Sequence, residues 1–193
     1  MRLTILAVTA VLALPATAFA QALPALPNLD ESAAQRSARR AAMAPPVLQE
    51  DAALQAAVAS ATRPEADRAR DAARHPFETL TFWGLHPNMT VVEIEPGRAG
   101  WWRNILEPYA AATGGRYVPV NRPLEGMGVE DGSADMIVVA RALHNWHRSN
   151  RTAPYMAAFF KALKPGGVLA IEQHRGAEGL NADQTAPTGY VSE

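Results

Sequence analysis

The feature that most constrains this chain is a strand–loop–helix unit near its middle. Thr90-Val91-Val92-Glu93-Ile94 follows the turn His86-Pro87-Asn88-Met89 and reads as a buried strand. Pro96-Gly97-Arg98-Ala99-Gly100 makes a tight loop. Trp102, Ile105, Leu106 and Tyr109 then recur at the spacing of one helix face. Gly114-Gly115 closes that helix, and Arg116 to Val120 is a second strand. Glu93 is an acid inside an otherwise apolar strand. A buried carboxylate without a partner is costly, so a ligand or a specific hydrogen bond is expected there.

The later chain repeats the alternation. Ala134 to Val139 is a strand. Met156, Phe159, Phe160 and Leu163 mark a helix that Pro165-Gly166-Gly167 stops, and Val168 to Glu172 is a further strand. Strands alternating with helices imply a largely parallel α/β sheet. In such sheets ligands bind beyond the carboxyl ends of the strands. That rule singles out three loops: Glu93 to Gly100, Ala140 to His147, and Gln173 to Gly176. Pro119 inside the second strand is tolerated mainly at a sheet edge, so that strand is expected at the edge.

The early chain is different. Residues 1–20 carry Arg2, the apolar run Leu3 to Leu14, Pro15 and the small-x-small site Ala18-Phe19-Ala20, the layout of a secretory signal peptide. The apolar run is shorter than the roughly 20 residues that span a bilayer, and no other segment is long and apolar enough. The expected location is therefore exported, periplasmic or secreted. Residues 21–62 read as a linker followed by an Ala-rich helical lead-in, with helices over Asp30 to Met43 and Leu48 to Thr62. A charged helix from Pro64 to Arg74 and a short apolar one from His75 to Trp83 follow. The Arg-rich stretches before residue 75 read as solvated faces with modest ion pairs.

Composition narrows the function. A net charge of −1 gives no basic excess for nucleic acid, and the absence of cysteine excludes disulfides, Fe–S clusters and thiol nucleophiles. His144 and His147 are spaced to share a helix face, but no carboxylate run accompanies them, so no metal is expected.

Taken in order, several segments resemble class I S-adenosylmethionine-dependent methyltransferases, and more narrowly a family of exported bacterial predicted methyltransferases. They are Val91 to Trp102, Ile105-Leu106-Glu107-Pro108-Tyr109, Gly132 to Ile137, His144-Asn145-Trp146, Phe159 to Leu169, and Glu172 with His174 and Arg175. The lead-in Arg63 to Met89 matches as well, so the resemblance covers Arg63 to Glu193. It implies a Rossmann-like methyltransferase domain over residues 63–193 that binds S-adenosylmethionine and acts on an unknown small-molecule or envelope acceptor. Glu93, Glu95, Gly97, Ala99 and Asn121 would lie along the cofactor, with His144, Asn145 and Trp146 facing cofactor or acceptor. His144 and His174 are the candidates for a general base, which is needed only if the acceptor must lose a proton.

The chain departs from the pattern of its relatives in several places. Glu95 stands where many members of the wider fold have glycine, and Ala99 replaces the last glycine of the loop. Asn121 stands where an acid usually meets the ribose. Asn121 to Ser133 is too short for a helix, a strand and a return. Beyond Glu193 the family would continue with a helix and a closing hairpin. A truncated reading frame is the favoured expectation, beside completion by a partner or a degenerate fold. The rival functional reading is a non-catalytic exported binding or interaction protein on the same fold.

Overall fold

A computed structural model describes residues 50–191; the signal-peptide segment and the helix expected over Asp30 to Met43 lie outside them. Four strands, β1 (Thr90–Ile94), β2 (Arg116–Val120), β3 (Ala134–Ala140) and β4 (Leu163–Glu172), form one sheet in the order β2-β1-β3-β4. All three pairings are parallel. The strand order reverses between β1 and β3, the place where open parallel sheets carry their ligands.

Alternation along the strands sends side chains to two cores. One face carries Val91, Met136, Val138 and Ala170. It is covered by α1 (Ala52–Ala59), α4 (Pro76–Phe82) and α5 (Arg103–Thr113). Between α1 and α4 lie two single turns, α2 (Glu65–Arg68) and α3 (Asp71–Arg74). The other face carries Val92, Ile94, Ile137 and Val139 under α6 (Leu143–Arg148) and α7 (Thr152–Ala162). A last turn, α8 (Ala182–Thr185), is fixed by a capping box between Asn181 and Gln184.

The lead-in is joined to the sheet domain through one carboxylate. Asp51 caps α1 by accepting from the Leu54 N–H at 2.9 Å, and its other oxygen accepts from the Tyr109 hydroxyl of α5 at 2.6 Å. Leu54, fully buried, enters the same core as Ile105 and Tyr109.

β1 and β2 have the limits expected from sequence, and β2 lies at the edge. The loop 121–133 folds back along that edge, burying Met127 against Val118 and Val120. Three expectations need correction. The charged segment 64–74 is two one-turn helices, because its chain reorganises at Ala69-Arg70. The loop after β3 contains α6, which is too short to declare itself by periodicity. The strand after α7 starts at Leu163, before Pro165-Gly166-Gly167. Leu163 pairs with Ala134 and Val168 with Met136, so residues 164–167 bulge out of register.

Candidate functional site

Glu93 points to the α5 face of β1 and is 2% exposed. The Tyr117 hydroxyl, from β2, donates to its Oε2 at 2.6 Å. Burial pushes the Glu93 carboxyl up to about 7, opposed by the Tyr117 hydrogen bond and the Arg103 charge. The Tyr117 phenol is in turn pushed up, by burial and then by Glu93. The acid in the strand therefore has its specific hydrogen bond and exchanges its proton near neutrality, a property common in functional groups.

β1 ends in a loop whose backbone is held open. Glu95 adopts φ +51°, the left-handed region that favours glycine. Its N–H donates to Val120 at 2.8 Å, and the Tyr155 hydroxyl donates to its Oε1 at 3.3 Å. Gly97 is also left-handed at φ +68°, and a Cβ there would meet no atom within 4 Å. The main chain at Gly97 is thus open to a ligand. The Ala99 carbonyl accepts from Asn104 Nδ2 at 3.2 Å, which ties the loop to the first turn of α5. No side chain caps α5.

The ends of β3 and β4 make the second wall. Arg141, just past β3, is left-handed at φ +55°, and its N–H donates to Glu172 at 2.7 Å. The Glu172 carboxylate accepts from the Trp102 indole at 2.9 Å. Beside them the Ala69-Arg70 link and α3 border an open cleft of about 590 Å³ lined by Arg70, Arg74, Trp102, Arg141, Glu172 and His174 among others. Arg74 lies over the Trp101 ring at 4.5 Å. Among the described arginines before residue 75, Arg63 is buried and Arg74 half-buried rather than solvated, while Arg68 and Arg70 are exposed as expected. Arg63 is 2% exposed and forms a two-pronged ion pair with Asp71 at 2.7 and 2.8 Å.

Of the residues expected along a cofactor, Asn121 lies beside the end of β1, because the Val120 carbonyl before it accepts from the Glu95 N–H. Glu93, Glu95, Gly97 and Ala99 stay together at the end of β1. Asn121 is exposed just past β2, and no carboxylate stands at that strand's end. His144, half-buried on α6, has its Nδ1 3.4 Å from Gln173 Oε1. Asn145 is exposed. Trp146 is 2% exposed in the second core, 4.5 Å from Tyr155 between ring centres, and its indole N–H has no partner among the described residues. His147 pairs with Asp183 at 2.8 Å. His174 is exposed beside Tyr190 and lines the cleft. Among the described residues, no cluster of three or more His, Asp or Glu could hold a metal ion.

Sequence reasoning missed Arg70, Arg74 and Arg141. The available signals were a lone arginine at the carboxyl end of an apolar strand, and two arginines four residues apart, which share a helix face. The partner of Glu93, Tyr117, gave no signal beyond its place on the neighbouring strand.

No family model matches the chain. No curated protein matches it either. Eighteen chains of solved structure do. One is a SAM-dependent methyltransferase from Aquifex aeolicus, 16% identical with a TM-score of 0.39, the match covering 58% of this chain and 70% of that one. Another is Haemonchus contortus phosphoethanolamine N-methyltransferase 2, solved with S-adenosyl-L-methionine, 17% identical with a TM-score of 0.39; the match covers 60% of this chain but only 32% of that one. The chain is similar in structure to these enzymes at low sequence identity. Residue roles rest on its own geometry.

Proposed function

We propose that the chain is an exported S-adenosylmethionine-dependent methyltransferase acting on a small-molecule or envelope acceptor. The observation that carries this reading is the left-handed loop at the end of β1, with open main chain at Gly97 four residues after the buried Glu93. S-adenosylmethionine supplies a methyl group activated on a sulfonium. An ionised Glu93 suits the cationic methionine end of such a ligand, and the bare backbone at Gly97 admits it closely. Asn121 offers an amide where a ribose would need hydrogen bonds. Orientation of the acceptor falls to the cleft beside Trp102, since methyl transfer depends chiefly on alignment. His174 is the residue suited to take a proton from an acceptor hydroxyl or amine, and His144, held by Gln173, is the alternative.

Calorimetric titration of the full chain with S-adenosylmethionine and S-adenosylhomocysteine tests the reading. Binding of both, lost in Glu93→Ala, is expected; no heat and no thermal shift with either overturns it. The rival is a non-catalytic binding protein, favoured by the missing carboxylate at the end of β2. Under the rival, both nucleosides leave the melting temperature unchanged while another ligand raises it. The export part is tested by N-terminal sequencing of the protein from a periplasmic fraction, where a start near Gln21 is expected.

A further inference from the structure

The cleft bordered by the Ala69-Arg70 link and α3 has an unbalanced charge. Arg70, Arg74 and Arg141 line it, against the single carboxylate of Glu172. None of the three guanidiniums forms an ion pair with a described residue. Glu172 is occupied by the Trp102 indole. Burial lowers the Arg74 pKa most; Glu172 and Asp67 work against this, and Arg70 and Arg141 lower it further. Holding like charges together costs stability unless an anion joins them.

The cost is incurred deliberately by the backbone. Arg141 adopts a left-handed conformation that glycine or asparagine would take more easily. Strain of this kind on a non-glycine residue persists where surrounding structure enforces it, and clusters at ligand sites. The cleft volume of about 590 Å³ lies in the range for small-molecule pockets. Guanidinium forks match the oxygens of a carboxylate or phosphate, and the Trp102 ring gives the cleft an apolar wall.

We propose that this cleft binds a small doubly charged oxyanion, and that the methyl acceptor carries such a group. The second clause rests on the methyltransferase reading; the first does not. Bound here, the anion sits against Arg70, Arg74 and Arg141 and leaves the other end of the molecule facing Trp102 and His174.

The test uses the full chain at low ionic strength, with inorganic phosphate, succinate and uncharged succinamide as probes, followed by thermal shift and calorimetry. The comparison variant is Arg70→Gln/Arg141→Gln, which keeps Arg74 on Trp101 and so preserves that packing. Phosphate or succinate is expected to raise the melting temperature of the wild type while succinamide does not, and which anion binds identifies the chemistry. Affinity should fall about tenfold for each guanidinium removed. Without ligand the double variant should melt no lower than the wild type, because repulsion is relieved, and its S-adenosylhomocysteine affinity should be unchanged. Absence of a shift with both anions overturns the proposal, as does a shift of equal size in the double variant. If the anions bind and S-adenosylhomocysteine does not, the cleft stands and the methyltransferase reading falls. The reverse pattern removes the cleft alone.

Discussion

Replacing Glu93 by Gln separates the stability of this fold from its ligand site. In the wild type the carboxyl is held up to about 7 by burial, against an ordinary value of 4.5. At ~1.4 kcal/mol for each pH unit, that preference for the proton amounts to about 3 kcal/mol. The sign follows from linkage. Between pH 4.5 and 7 the unfolded chain loses the proton while the folded chain keeps it. Stability from this group is therefore complete below pH 4.5 and is lost as pH rises through 7. Gln cannot ionise, and its carbonyl can still accept from the Tyr117 hydroxyl. Glu93→Gln should then match the wild type at pH 4.5 and exceed it by about 3 kcal/mol at pH 8, which for a chain of this size is roughly 10 °C in melting temperature. Denaturant unfolding of both proteins from pH 4 to 8 measures this, and taking the difference cancels groups that titrate alike in both. The same variant should lose S-adenosylmethionine binding, since the amide carries no charge. In the wild type, binding should strengthen as pH rises through 7. A stability difference independent of pH would falsify the burial of an ionisable Glu93 as described.

Three further substitutions probe the supports of the site. Tyr117→Phe removes the hydrogen bond that opposes burial at Glu93, so the midpoint of the stability–pH curve should move above 7, at a cost of about 1.5–3 kcal/mol at pH 8. Arg63→Ala leaves Asp71 without its two-pronged partner and opens space against Trp101; urea unfolding should show a loss of about 3 kcal/mol. Gly97→Ala has room for its methyl but strains a left-handed residue, so a loss of about 1 kcal/mol with a much larger loss of cofactor affinity is expected. Gly115→Ala is the control, because its methyl would lie 2.6 Å from the Met89 carbonyl oxygen and should destabilise the fold strongly wherever the ligand binds.

The parts legible in the sequence were those set by local chemistry. β1 is a short run rich in β-branched residues after a turn, β2 follows Gly114-Gly115 and carries Val118 and Val120, and α5 shows its buried face through Ile105, Leu106 and Tyr109. The acid of β1 could be singled out because it broke an apolar run. What stayed hidden depends on contacts distant in sequence. Trp102 meets Glu172 across 70 residues, and Asp67 meets Asn104 across 37. Arg70 and Arg74 look like solvent charges until the Ala69-Arg70 link and α3 are set beside the ends of β3 and β4. The α6 segment mixes His144, Asn145 and His147 with Leu143 and Trp146 in six residues, too few for a helical period to emerge.

The two left-handed residues at the ends of β1 and β3 show how the site is built. Glu95 and Arg141 each follow the last residue of a central strand, and each donates its N–H to the last carbonyl of the outer neighbour, at Val120 and Glu172. The ladder thus runs one residue beyond each strand before the chain turns away. Turning alone would be easier with glycine, and the strain costs on the order of 1 kcal/mol at each position. What the larger residues add is charge of opposite sign. Glu95 and Glu93, two residues before it, send their carboxyls to opposite faces of the sheet, toward Tyr155 and Tyr117, with the Arg103 charge acting on Glu93. Arg141, with Arg70 and Arg74, makes the β4 side basic. An anion at the cleft would meet the opposite charge. The same layout would disfavour a cationic donor in the cleft, where it would face three guanidiniums.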